Sequence, residues 1–260
     1  MRICLDYNAG SPLRPTVRAT IGQIVNTPHG NPSSVHRSGQ HARKILEEAR
    51  TRVAGLIGAP ARSIVFTSGG TEANNFAAMG AARGSGGRRR IITSSIEHSS
   101  ILAPVAELER AGYAITRLQP DRDGRIVPDQ VAQALDGETA LVTLGLANAE
   151  VGTIQDASAI AEVVAPSGAL FHLDAAQAVG RMPIDASAMG CDLMTLSAHK
   201  MGGSAGIGAL YVRPGSRIEP LILGGPQEGG LRAGTPNLIG AAGFGAAAEE
   251  IITKMDEEIA

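Results

Sequence analysis

The sequence predicts an α/β fold in which a mostly parallel sheet carries helices on both faces. Two observations point to it. Short runs rich in Ile, Val and Leu alternate along the chain with segments whose apolar residues recur every three or four positions. No internal repeat and no polar or proline-rich linker interrupts that alternation, so one domain is the simplest organisation.

The first element with a strong signal is a helix over residues 33–59, where Val35, Ala42, Ile45, Leu46, Ala49, Val53, Leu56 and Ile57 fall on one face. A strand over 63–67, a turn at Ser68-Gly69-Gly70 and an Ala-rich helix over 71–83 form the first strand-turn-helix unit. Strands at 90–94, 113–118, 140–146 and 170–173 then alternate with helices at 101–110, 128–135 and 157–164. Alternation of this kind builds parallel sheets, because each crossover helix returns the chain to the same edge. Apolar runs at 193–196 and 207–212 flank a Gly-rich stretch and read as a local strand pair added to the sheet. Residues 236–259 read as one long helix with Pro236 near its first turn.

Composition narrows the function classes. The 260 residues are 43% hydrophobic, enough for a sizeable core, and a formal charge of −2 without long single-sign blocks gives no footprint for nucleic acid or an anionic membrane. The one basic run, Arg88-Arg89-Arg90, reads as a solvated turn. Cys4 and Cys191 lack CxxC spacing, which favours a reducing compartment such as the cytoplasm, and both lie in apolar surroundings expected to pack them away. The first residues reach Asp6 too early for a signal-peptide core, and no stretch approaches the roughly 18 apolar residues of a membrane span. The histidines give no HExxH, so no metal site is expected, and GxSxG, GxxxxGK[ST] and a complete GxGxxG are all missing.

In open parallel sheets, ligands sit beyond the carboxyl ends of the strands, which directs attention to the residues there. Ser68-Gly69-Gly70-Thr71 opens a helix and is either a phosphate cradle or a plain glycine turn. Lys200 stands apart from Lys44 and Lys254, the other lysines, because it follows a strand within Ser197-Ala198-His199-Lys200. Its amine is suited to a Schiff base with a carbonyl cofactor, or is an ordinary surface lysine. Asp174 ends a strand and would either hold a pyridine nitrogen protonated or cap a helix. His98 would lie on a cofactor ring or remain an exposed loop histidine.

Taken together these segments resemble the cysteine desulfurases, a branch of the class V aminotransferases among the fold-type I pyridoxal-phosphate enzymes. The resemblance runs in order through Leu5-Asp6-Tyr7-Asn8-Ala9, Asn31-Pro32-Ser33-Ser34 with His36 and Gly39, and the stretch from Thr67 to Asn75. It continues through Glu97-His98, Asn148 to Gly152, Asp174 to Gln177, Ser197 to Lys200, and Gly224 to Asn237. The resemblance implies that Lys200 holds pyridoxal 5'-phosphate covalently and moves the substrate proton, with His98 stacked on the ring. It implies Asp174 at the pyridine nitrogen, Gln177 and Asn148 near the ring oxygen, and Gly70, Thr71, Ser197 and His199 at the phosphate. Thr235 would reach the phosphate of the other subunit in a homodimer, and Asn31 would lie near the substrate carboxylate.

The implied reaction converts L-cysteine to L-alanine and passes sulfur to an enzyme cysteine, then to an acceptor or iron-sulfur scaffold protein. Residues 1–260 would form the large domain, with 1–12 an N-terminal arm and 236–259 the helix leading to a smaller C-terminal domain. That further domain would carry the catalytic cysteine loop and an arginine for the substrate carboxylate. Two departures stand out: Ala149 where an asparagine is usual, and Ser204-Ala205 in place of a Pro-Lys pair. The alternatives are a cofactor-holding assembly subunit or truncated remnant, and a selenocysteine lyase or aminotransferase of the same fold.

Overall fold

A computed structural model describes residues 5–259. Its frame is a seven-stranded sheet in the order β1-β7-β6-β5-β4-β2-β3. The strands are β1 (Ile64–Thr67), β2 (Arg90–Ser94), β3 (Ala114–Leu118), β4 (Thr139–Gly145), β5 (Leu170–Asp174), β6 (Leu193–Ser197) and β7 (Gly208–Val212). All pairings are parallel except those of β7, which runs antiparallel to both β6 and β1. The helices are α1 (Pro15–Asn26), α2 (Arg37–Gly55), α3 (Gly70–Gly84), α4 (Ser99–Arg110), α5 (Pro128–Ala134), α6 (Ala157–Val164) and α7 (Leu238–Ile259).

The period-two alternation of side chains divides the core into two layers. Phe66, Ile92, Val142, Leu144, Phe171, Met194 and Tyr211 meet the layer containing α2, α6 and α7. Their neighbours Val65, Ile91, Leu141, Leu193 and Leu210 face α3 and α4 on the other side. Both faces are therefore covered, as a parallel sheet requires. The Ala-rich face of α3, with Ala73, Ala77 and Ala81 fully buried around Phe76, lets that helix lie close over the middle of the sheet. Burying a side chain the size of Phe76 contributes about 2–3 kcal/mol, so this face anchors the helix whose first turn builds the site.

Several sequence expectations need correction. The helix expected from 33 begins at Arg37, because the His36 side chain accepts from the Gly39 N–H and caps it. Val35, counted on its apolar face, is 85% exposed. Helix α1 was missed, although Pro15 at its start and the spacing of Val17, Ile21 and Ile24 carried the signal. The terminal helix begins at Leu238, leaving Pro236 outside it. The pair β6-β7 is local and antiparallel as a unit, but it lies inside the sheet, since β1 pairs with the far side of β7.

The basic run is not simply solvated. Arg88 donates to the Thr139 and Ser167 carbonyls, Arg89 stacks 4.8 Å over Tyr113, and Arg90 pairs with Asp136 at 2.8 Å. Cys191 is fully buried in the core, as expected, whereas Cys4 falls outside the described residues. Among the described residues, no helix is long and apolar enough to cross a membrane.

Candidate active site

The carboxyl ends of β1, β2, β4, β5 and β6 open onto one cavity of about 740 Å³. Nine residues singled out from the sequence line it: Gly70, Thr71, His98, Asn148, Asp174, Gln177, Ser197, His199 and Lys200. They come from five separate strand ends, and only the order of the sheet brings them together. Thr235 and Asn31 do not line this cavity; both are exposed, and Asn31 Oδ1 accepts from the Ser33 N–H within its own turn.

Gly70 and Thr71 open α3, so their N–H groups belong to the set that a helix leaves without intrahelical acceptors. The positive end of the helix adds to the attraction for an anion there. Close approach makes this turn possible. A Cβ on Gly208 would lie 2.6 Å from the Gly69 carbonyl carbon and 2.8 Å from the Leu196 oxygen. Ser197 Oγ, 3.0 Å from His199 Nδ1, adds a hydroxyl to the same wall. Glu72, in the first turn of α3, accepts from the Ser68 N–H and pairs with Arg232, which ties the turn to the segment carrying Thr235.

Asp174 is 9% exposed and its hydrogen-bond partners are neutral: Asn74 Nδ2 at 2.7 Å and the Ala176 N–H at 2.9 Å. Residues 175–178 form a turn and no helix, so the helix-cap alternative does not describe it. Burial pushes its carboxyl above the usual range, and those two donors oppose the shift. A cation placed against this carboxylate would reverse the burial effect. Lys200 lies across the cavity, where burial first and Arg181 second hold its amine below the usual lysine range, opposed by Asp174 and Asp6. Its Nζ donates to the Asn8 carbonyl, which also accepts from Gln177 Nε2 at 3.0 Å. The arm around Asn8 is fastened further by Arg181 and by a bond from its own amide to Ala149 O.

His98 is the cap of α4: its Nδ1 accepts from the Ser100 N–H at 3.1 Å. Asn148 Nδ2 donates to Ile96 O, holding the loop after β4 against the loop after β2. Sequence reasoning gave no role to Asn74, Glu97 or Ser100, which also line the cavity. For Asn74 and Ser100 the signal was polar character on helix positions facing the core, whereas Glu97 lies in the loop between β2 and α4, where no period marks it. Glu97 accepts from Ser94 Oγ and from the Gly145 N–H at 2.6 Å, and burial pushes its carboxyl up to about 7. Below Asp174 on the same face of β5, His172 lies between Thr143 and Thr195 hydroxyls, and burial holds it neutral with a pKa of about 3.

Comparison with known proteins agrees with this architecture. Residues 3–260 match the family model described as aminotransferase class-V. The chain is 43% identical over 258 residues to cysteine desulfurase IscS of Dictyoglomus turgidum, covering 99% of this chain and 66% of that one. Among solved structures, a NifS-like protein superposes with a TM-score of 0.95 at 35% identity, over 99% of this chain and 71% of that one. A structure described as SspA in complex with cysteine superposes with a TM-score of 0.90 at 36% identity, covering 97% and 77%. The chain spans about two thirds of the length of the curated relatives it matches. A family match over nearly every residue, on the same fold and with relatives named as cysteine desulfurases, means that the chain belongs to the aminotransferase class-V family.

Proposed function

We propose that this chain is the cofactor-binding part of a pyridoxal-phosphate-dependent cysteine desulfurase. The observation that carries the reading is one cavity holding an anion cradle, a buried carboxylate and a lysine amine with a depressed pKa. These suit the three ends of pyridoxal phosphate: Gly70, Thr71, Ser197 and His199 its phosphate, Asp174 its pyridine nitrogen, and Lys200 its aldehyde. Gln177 and Asn148 would meet the ring oxygen, and His98 the ring face. Pyridoxal phosphate, when bound, supplies an electron sink for charge developing at the α-carbon of an amino acid.

The chain's own residues would do the rest. Lys200, its amine held below the usual lysine range by burial and by Arg181, is suited to act as a nucleophile for a carbonyl and as a base for the substrate proton. Asp174, held in place by Asn74 and the Ala176 N–H, would face the ring nitrogen, where its carboxylate and a protonated nitrogen would stabilise each other's charge. L-Cysteine as the substrate rests on the relatives' names and on the cysteine complex among the structural neighbours. A homodimer belongs to the reading through the family resemblance: Thr235 is exposed and does not line this chain's cavity, so the phosphate contact that the resemblance implies would be made in a second copy. Asn31, in an exposed turn, would contribute to substrate binding in the same assembly.

The thiol that accepts sulfur is assigned to residues other than Cys191. That thiol is fully buried and pushed up to about 12 by its surroundings, the opposite of a reactive thiolate. The same burial favours a second reading, a subunit that holds cofactor without turning over cysteine by itself. Incubation with pyridoxal phosphate, L-cysteine and excess dithiothreitol separates the two, since the dithiol can take the sulfur and release it as sulfide while oxidising to its disulfide. Equimolar alanine and sulfide, lost in Lys200→Ala, are the expected products. Retained cofactor with neither product would support the second reading.

A further inference from the structure

Asn74 is the part of the cavity wall that the proposed chemistry leaves unexplained. It sits at the start of α3, 2% exposed, on a helix face otherwise built of alanine. A buried amide costs a few kcal/mol unless it is paired, so its partners are informative. Its Nδ2 uses both hydrogens, one on Asp174 Oδ2 and one on Ser100 Oγ, each at 2.7 Å. Its Oδ1 is buried without a partner. The opposite amide orientation would set that oxygen against the Asp174 carboxylate, so the two acceptors fix the amide.

Ser100 Oγ, which accepts from Asn74, lies 2.7 Å from His98 Nδ1. The Ser100 backbone N–H donates to the same nitrogen at 3.1 Å. A backbone N–H can only donate, so Nδ1 carries its lone pair, the Ser100 hydroxyl beside it is turned into a donor as well, and the imidazole proton is left on Nε2. We propose that Asn74 and Ser100 are positioning residues, forming a hydrogen-bond relay that fixes the Asp174 carboxylate and holds His98 as the Nε2–H tautomer. The relay rests on the function proposed above only for the use made of its two ends, because all its bonds lie within the chain. In that use, the charge at the ring's edge and the imidazole on its face are set by one network.

The test is long-range proton-nitrogen NMR on protein labelled with ¹⁵N-histidine and free of added cofactor, with the His98 signals assigned by loss in His98→Gln. The expected spectrum has Nε2 protonated and Nδ1 carrying a lone pair. Asn74→Ala, which removes no hydrogen-bond partner of His98, should shift the His98 nitrogens in the same direction as Ser100→Ala. A wild-type His98 protonated on Nδ1, or His98 signals indifferent to Asn74→Ala, would overturn the relay. If Asn74→Ala does not fold, the wild-type tautomer and the Ser100→Ala shift still decide. Retention of pyridoxal phosphate provides the second readout, expected to weaken about tenfold or more in Asn74→Ala through loss of a hydrogen bond to a charged group. An Nε2–H tautomer in a wild type that retains no cofactor would sink the functional reading and leave the relay standing. Retained cofactor with an Nδ1–H imidazole would do the reverse.

Discussion

Replacing Glu228 by alanine should destabilise the protein severely although Glu228 lies outside the cavity. Its side chain is 2% exposed and holds Arg50, itself 9% exposed, through two bonds of 2.6 and 2.9 Å. It also accepts from the Phe66 N–H at 2.8 Å, on the edge of β1. Removing it leaves the Arg50 guanidinium buried against Phe66, with the exposed Glu47 and the Ile64 carbonyl as its remaining partners. Leaving one member of a buried pair uncompensated costs about 3–5 kcal/mol. For a chain of this size that corresponds to a fall in melting temperature of roughly 6–20 °C. Glu228 also has φ of 50°, where glycine is relaxed and alanine is not, so Glu228→Gly should recover about 1 kcal/mol relative to Glu228→Ala. Thermal and urea unfolding followed by circular dichroism measure both effects. A loss below about 1 kcal/mol in Glu228→Ala, the size of an exposed ion pair, would refute the claim that this pair is buried and anchors the segment leading to Thr235.

The site yields three further expected outcomes. The Glu97 carboxyl, raised by burial to about 7, binds its proton more tightly folded than unfolded, so its contribution is fully present below about pH 4.5 and lost as pH rises toward 7. Glu97→Gln should therefore stabilise the protein by roughly 2–3 kcal/mol above pH 7 and by little near pH 4.5; equal effects at both pH values in unfolding titrations would contradict the assignment. Gly208→Ala should displace the turn at Gly69, costing about 1–3 kcal/mol and weakening cofactor retention, which equilibrium dialysis measures against wild type. Cys191 should react with iodoacetamide only after unfolding, and rapid labelling of the folded protein at this residue, read by mass spectrometry, would contradict its burial.

Most of the sheet was legible because parallel strands buried on both faces are written as short uninterrupted apolar runs, and those runs were correctly placed. What local pattern did not carry was tertiary. The position of β7 between β6 and β1 is set by nonlocal pairing, and Val35 looked like helix face until the His36 cap fixed where α2 begins. In the site, residues at strand ends announced themselves through residue type and through resemblance. Asn74 and Ser100 did not, because a polar side chain inside an apolar helical period looks like a flaw until its partners from β5 and α4 are in place. Arg50 and Glu228 were hidden for the same reason, being far apart in sequence and joined only by the fold.

The most direct test of the central claim is the visible absorption spectrum of the purified chain after incubation with pyridoxal phosphate and gel filtration, beside Lys200→Ala treated in the same way. The account predicts a cofactor band that stays with the wild-type protein and is absent from the variant. Folded wild-type protein that emerges without the band, or a variant that retains it unchanged, would contradict the assignment of this cavity and of Lys200.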